Sequence, residues 1–264
     1  MSDAFDLDRI GGIVALGALV DEVTAAGELA LSMQRSGAGA HARRKADNSP
    51  VTEADEAVER RLRAYLSKNF PEMGFLGEET GAAESHGTMT FIVDPIDGTR
   101  AFTRRFDTWS VLVGLEAEGV PVVGIAFMPA AGDLMVGVLG DGARLNGQRV
   151  RVSEVASKDD AVICHGCLQQ FTDAGAGDLL PRLGEQTFTQ RGHHDFDGYR
   201  QMLLGKADAM VDAGVKPWDV CPAAVLIREA GGQFSDFKGA STVHGGNFLA
   251  TNGLIHDQML TVVE

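Results

Sequence analysis

A chain of 264 residues is long enough for one large domain or two smaller ones, and 44% hydrophobic with 23% charged residues is ordinary for a soluble globular protein. The formal net charge of −14 argues against nucleic acid as a partner, because a phosphate backbone asks for clustered Lys and Arg. An acidic chain still takes a phosphate ester where bound cations reverse the local field.

The opening segment, MSDAFDLDRI, lacks the basic start and apolar core of a signal peptide. No stretch approaches the roughly 18 uninterrupted apolar residues of a membrane span. The three cysteines, Cys164, Cys167 and Cys221, are an odd, low count that fits a reducing compartment, so a cytoplasmic protein without membrane contact is expected. Residues 7–34 read as a helix, with Ile10, Val14, Val20, Val23 and Leu31 as its buried stripe. RSGAGAHARRKADNSP then reads as a loop or hairpin carrying Asp47. A second helix starts near Thr52, and Val58, Leu62, Tyr65 and Leu66 share one helical face.

After Pro71 the pattern turns to strands. MGFLGEE and FIVD are short and apolar, then acidic. TWSVLVGLE alternates at Val111, Val113 and Leu115, and VPVVGIAFMP and DLMVGVLG read as its antiparallel neighbours. The first half is therefore expected to be helices on a mostly antiparallel sheet. Beyond it, the strands AVICHG, ADAMVD and NFLATN alternate with helices near 176–183 and 197–205. WDVCPAAVLIREAGG is a helix stopped by Gly231 and Gly232, in which Pro222 is tolerable only in the first turn. This alternation gives a smaller α/β domain and an α+β class for the chain, divided into 1–145 and 146–264.

FIVDPIDGTRAF places two carboxylates, Asp94 and Asp97, at the end of an apolar run. Alone, such a stretch reads as a turn in which Asp97 caps a helix starting at Thr99. It also reads as a metal site, because carboxylates at the C-terminal ends of buried strands project into a cleft, and Mg2+ takes hard oxygen ligands. FLGEET repeats the pattern with Glu78 and Glu79, and KPWDV sets Asp219 at a helix start after a strand. Three strand-end placements far apart in sequence point to one converging cluster. In TEAD, Asp55 serves a capping box, polarises a hydroxyl near the metals, or does both. Gly98 and Thr99 at a helix N-terminus suit an anion.

GEET, DPIDGTRAF and WDVCPAAVLIREAGG, with SPVTEAD and GGNFLATNG, resemble the signatures of the inositol monophosphatase family of Mg2+-dependent, Li+-sensitive phosphomonoesterases, in order and across nearly the whole chain. The resemblance implies a layered αβαβα fold, a homodimer, and two or three Mg2+ ions per site. It implies that Glu78, Asp94 and the Ile96 carbonyl hold the first ion and that Asp94, Asp97 and Asp219 hold the second. Glu78 would also help to position a third ion or the attacking water. Thr99, paired with Asp55, would orient or activate that water, and the Gly98 and Thr99 amides would bind phosphate.

The segment RGHHDFDGYRQ is similar to the Gly-Asp-x-x-x-Tyr pattern of the family's histidinol-phosphate phosphatase branch, with His194 in place of Gly. Asp195 would then pair with the substrate's ammonium or imidazolium, and Tyr199 keeps its spacing. Asp195 otherwise caps the helix running to Leu204. The alternatives are an inositol monophosphatase or related sugar or polyol phosphatase, with Asp195 or Glu229 on ring hydroxyls, and a non-catalytic phosphate-ligand binding protein on the same scaffold. His193–His194 reads as a loop pair rather than a zinc site. Cys164 and Cys167 read as core thiols, and Trp218 as packing that fixes Asp219.

Overall fold

Gly11 decides where the first helix begins. In the computed structural model, which describes residues 4–37, 42–44, 50–83, 87–193 and 195–264, the expected helix is two pieces. A 3-10 turn, Leu7–Ile10, ends at Gly11, whose φ of +88° turns the chain into α1, Gly12–Ser36. The break resets the helical phase, so a stripe extrapolated from Ile10 fails within the first turn of α1. Val14 is 80% exposed, and the buried face runs through Leu16, Leu19, Val23, Ala26, Ala30 and Leu31 instead. A short ladder, β1 (Arg43–Arg44) with β2 (Pro50–Val51), precedes α2, Glu53–Asn69. Along α2, Val58, Leu62 and Leu66 are buried as expected and Tyr65 is half-buried.

The strands that follow are β3 (Gly74–Gly77), β4 (Gly81–Ala83) and β5 (Met89–Asp97). A single-turn helix, α3 (Thr99–Thr103), leads into β6 (Ser110–Ala117), β7 (Val120–Met128), β8 (Asp133–Val138), β9 (Gly142–Leu145) and β10 (Gln148–Arg149). They form one sheet in the order β10-β9-β8-β7-β6-β5-β3-β4, antiparallel throughout except for β3 beside β5. The second half runs β11 (Val162–His165), α4 (Leu168–Asp173), α5 (Leu179–Gln186), β12 (Thr189–Gly192), α6 (Asp197–Leu203) and β13 (Ala209–Ala213). It closes with α7 (Pro217–Glu229), β14 (Gln233–Ser235), β15 (Asn247–Thr251) and α8 (His256–Val263). Its sheet has the order β12-β11-β13-β15-β14 and mixes parallel and antiparallel pairs.

Period-2 alternation sends β5 and β6 side chains to two different cores. Phe91, Val93, Val111, Val113 and Leu115 pack against α1 and α2. Ile92 and Leu112 face the other way, onto α7, together with Met210, Phe248 and Ala250 of the second sheet. Residues of α5 and α8, including Leu183 and Met259, cover that sheet's far face at Ile163, Val211 and Leu249. The layers are thus helix, sheet, helix, sheet, helix. Among the described residues no helix is long and apolar enough to cross a membrane.

A row of glycines seats α7. Gly114, Gly124 and Gly137 stand opposite one another on β6, β7 and β8. A Cβ on Gly124 would lie 2.5 Å from the Pro222 carbonyl oxygen, and one on Gly137 would lie 3.2 Å from Leu226. Pro222 therefore sits past the first turn, counting from Pro217, which corrects the expectation that only the first turn admits it. Its ring removes one helical hydrogen bond, and the close backbone contact on Gly124 holds this part of the helix down. Gly124→Ala should destabilise the protein by about 1–3 kcal/mol by overpacking. Gly17→Ala, where a Cβ meets nothing within 4 Å, should be neutral or stabilising by up to about 1 kcal/mol. Urea unfolding of the two variants checks this, and equal stabilities would mean that α7 is not seated on the glycines.

Candidate active site

Asp94 and Asp97 are three residues apart, so a regular strand would point them to opposite faces. The β5–β6 register slips between them: Asp94 pairs with Leu112 and Asp97 with Ser110. The extra residue is a β-bulge, which re-aims the following side chain and brings both carboxylates to one cleft. Asp94 Oδ1 accepts the Ile96 amide at 3.0 Å, so the expected turn is present, but Gly98 and not Asp97 caps the helix at Thr99. Asp97 Oδ2 accepts Ser110 Oγ at 3.1 Å and the Phe196 amide at 2.9 Å. Gly98, at φ +83°, then opens α3.

The other carboxylates arrive from distant elements. The Glu78 amide donates to Val93 O at 3.2 Å, which ties the residue after β3 to the strand carrying Asp94. Asp219 lies in the first turn of α7, where its Oδ2 accepts the Lys216 amide at 2.7 Å. Among the described residues, one ligand atom from each of Asp94, Asp97 and Asp219 lies within 4.8 Å of the other two. Glu78 adds a hydrogen bond and its charge to Asp94.

This crowding shows in the proton affinities. Burial, then the charges of Glu78, Asp97 and Asp219, push the Asp94 carboxyl well above its ordinary 3.8. Burial, Asp195 and Asp219 do the same to Asp97 against the donors Phe196 and Ser110. Asp219 is pushed up to about 7, chiefly by burial.

Asp55 closes the capping box and also reaches the Thr99 hydroxyl beside the cluster. Its Oδ2 closes the capping box by accepting Thr52 N at 2.8 Å and Thr52 Oγ1 at 2.5 Å. Its Oδ1 lies 3.2 Å from Thr99 Oγ1, which stands at the same distance from Ile96 O. Burial raises the Asp55 carboxyl to about 6 against these hydrogen bonds.

The cleft continues past the aspartates along Arg100, Gly166, Gln170, Asp195, Tyr199 and Asp212. Asp195 has φ +47°, and a Cβ on Gly98 would meet its Oδ2 at 2.6 Å. Asp195 therefore lies directly against the Gly98–Thr99 turn. Tyr199 is buried, and its hydroxyl donates to Asp212 Oδ2 at 2.6 Å, so it bears on the cleft through Asp212. Asp212 also accepts the Gly166 amide, and burial carries its carboxyl to about 7.

Asp212 was not singled out from the sequence, although ADAMVDAG ends a buried strand in a carboxylate just as FIVD does. Glu59 was also missed, and its signal is an acidic residue on the buried face of α2, four positions after Asp55. Glu229 does not line the cleft. It accepts the Gly142 amide at 2.8 Å at the opposite end of α7 from Asp219. His193 pairs with Asp197 at 2.9 Å. Cys164 is a core thiol that burial pushes up to about 12, whereas Cys167 is exposed, and all three cysteines are free. Trp218 packs against the α7 core. Asp47 and His194 lie outside the described residues.

Three carboxylates, a fourth in Glu78 and the Ile96 carbonyl are all hard oxygen donors, without thiolate or imidazole among them. That set fits Mg2+ rather than zinc. Residues 15–264 match the model of the inositol monophosphatase family. A histidinol-phosphatase of Mycobacterium tuberculosis is 36% identical over 224 residues, covering 82% of this chain and 85% of the relative. A fructose-1,6-bisphosphatase/inositol-1-monophosphatase of Thermotoga maritima is 32% identical over 81% of this chain and 82% of the relative. A solved IMPase of Thermotoga maritima superposes with a TM-score of 0.84 at 28% identity, over 95% of this chain and 97% of that one.

The raised carboxyls set a sign for stability. Asp55, Asp212 and Asp219 bind protons more tightly folded, at about 6, about 7 and about 7, than at their ordinary 3.8. Between those limits the folded state holds the extra protons, so stability falls as pH rises through the window. In EDTA, the thermal midpoint should be several degrees higher at pH 5 than at pH 8. Added Mg2+ should raise it more at pH 8, where protons no longer neutralise the site. A flat profile in scanning calorimetry would contradict the packing of charges described.

Proposed function

Because the chain belongs to the inositol monophosphatase family and is a phosphoric monoester hydrolase, we propose that it hydrolyses histidinol phosphate by direct attack of water. The observation that carries the substrate is the pair Asp195 and Asp212 beside the aspartate cluster. Asp212 accepts the Tyr199 hydroxyl and the Gly166 amide, both neutral, and with burial raising its carboxyl to about 7 a cation beside it would favour the charged form. An ammonium or imidazolium on the alcohol side of the ester matches that charge. The histidinol-phosphatase relative supports the same choice. A polyol phosphate is the second reading, because these carboxylates also accept hydroxyl donors and the Thermotoga maritima relative is named for such esters.

In this reading Glu78, Asp94, the Ile96 carbonyl, Asp97 and Asp219 would hold two or three Mg2+ ions. Bound Mg2+ supplies neutralisation of carboxylates and phosphate, and lowers the pKa of water in its shell. The chain's own residues move the proton. Asp55 Oδ2 is committed to Thr52, which leaves Oδ1 for Thr99. Thr99 Oγ1 receives a proton from the attacking water as it hands its own to Asp55 Oδ1; the water oxygen bonds to phosphorus while the ester P–O bond breaks, and the alcohol leaves with a proton taken from solvent. An Asp55 carboxyl near 6 accepts that proton near neutral pH. The Gly98 and Thr99 amides bind the phosphate, and Asp195 holds the alcohol's cationic group. Tyr199 fixes the Asp212 rotamer. We also propose a cytoplasmic homodimer, and a division of the chain near 145; the first sheet runs just past that point, through β10 at 148–149, and the second begins with β11.

Phosphate release from histidinol phosphate, inositol 1-phosphate and a neutral aryl phosphate tests this. Asp94→Asn or EDTA should lower kcat on every substrate by about 10²-fold or more, as loss of a group that stabilises transition-state charge does. Asp195→Asn should lower kcat/KM for histidinol phosphate by about 10–100-fold, the worth of a hydrogen bond to a charged group. The aryl phosphate should be nearly unaffected by Asp195→Asn. Equal losses on both substrates would remove Asp195 from the cation site, and turnover indifferent to EDTA would remove the metal mechanism.

A further inference from the structure

Glu59 is completely buried on α2, one helical turn after Asp55. A carboxylate there is unfavourable unless its oxygens are satisfied. They are satisfied by two consecutive backbone amides: Glu79 N donates to Oε2 at 2.8 Å and Thr80 N to Oε1 at 2.7 Å. Both belong to the turn that follows Glu78. The Glu78 amide is itself held by Val93 O at 3.2 Å. Three successive amides are thus fixed, the first to the strand carrying Asp94 and the next two to α2.

Gly77 makes room for this. Its φ is not in the left-handed region, so backbone freedom is not the reason for glycine. A Cβ at position 77 would lie 2.6 Å from both Glu59 Cδ and Oε1. Glycine is needed because the carboxylate, with the Phe75 ring at 2.7 Å, occupies the space. The same face of α2 presents Asp55 to Thr99. One rigid helix therefore sets the Thr99 hydroxyl and the Glu78 backbone relative to each other.

We propose that Glu59 is a positioning residue: its carboxylate clasps the Glu79 and Thr80 amides and so fixes how Glu78 enters the metal cluster. This rests on reading Glu78 as a metal ligand, and not on the identity of the alcohol. Glutamine is isosteric but offers one acceptor and turns an N–H donor toward the second amide. Glu59→Gln should therefore release one of the two amides and loosen Glu78 without changing the cleft's substrate wall.

The test is calorimetric titration of Mg2+ into the substrate-free protein, well below its thermal midpoint, alongside kinetics on p-nitrophenyl phosphate. Glu59→Gln should weaken Mg2+ binding by about 10–100-fold, the usual effect of losing a group that orients a ligand. KM for p-nitrophenyl phosphate at saturating Mg2+ should stay at the wild-type value. Gly77→Ala, which keeps the Glu59 charge but displaces its carboxylate, should weaken Mg2+ binding in the same way and decides the matter if Glu59→Gln does not fold. Glu53→Gln, on the exposed side of the same helix, should leave Mg2+ binding unchanged. A folded Glu59→Gln or Gly77→Ala that binds Mg2+ as tightly as wild type would overturn the proposal, with any loss of stability then purely structural. A wild-type chain that binds no Mg2+ would overturn the metal reading and this proposal with it.

Discussion

Like charges confined away from water repel, and the architecture of this protein gathers them. Asp94, Asp97 and Asp219 come within 4.8 Å of one another, with Glu78 in contact and Asp195 and Asp212 adding to the same field. The hydrogen bonds they accept, from Ser110, Phe196, Ile96 and Lys216, come from neutral donors and offset only part of that repulsion. Two things relieve the remainder: protons, which is why these carboxyls titrate high, and divalent cations. A cluster this strained at neutral pH favours a divalent cation, and a cation there would make an acidic protein attractive to a phosphate.

The fold provides rigidity where that repulsion would otherwise push the groups apart. A bulge in β5 turns Asp97 to the same side as Asp94. The glycine row on β6, β7 and β8 draws α7 against the sheet and with it Asp219, more than a hundred residues downstream. The clasp between α2 and the turn after β3 supplies Glu78. Each device acts on backbone, so the points from which the carboxylates reach into the cleft are fixed in advance. Pre-organisation of this kind lets binding energy go into the reaction rather than into ordering the site.

How much of this was legible in the sequence follows from range. The acidic ends of FIVD and GEE, and the helix start at WD, are local patterns, and each landed in the cluster. The same local rule applied to ADAMVDAG would have found Asp212. The bulge was invisible because it is a mismatch between two strands, and the glycine row because it spans three. Glu59 shares α2 with several other acidic residues, and only the fold brings it against Gly77. The stripe on α1 failed at Val14 for a local reason, the left-handed Gly11, which periodicity alone does not register. Tyr199 kept its family spacing, but its hydroxyl is used inside the second lobe, on a strand that sequence spacing could not place beside it.

Cations held between the three aspartates and Glu78 are the claim on which everything else rests. Diffraction from crystals grown with Mn2+ in place of Mg2+, recorded at a wavelength where manganese scatters anomalously, tests it most directly. We expect at least two anomalous peaks, one shared by Asp94 with Glu78 and the Ile96 carbonyl and one by Asp94 with Asp97 and Asp219. A well-ordered map with no peak inside this cluster, or with manganese only at surface carboxylates, would contradict it.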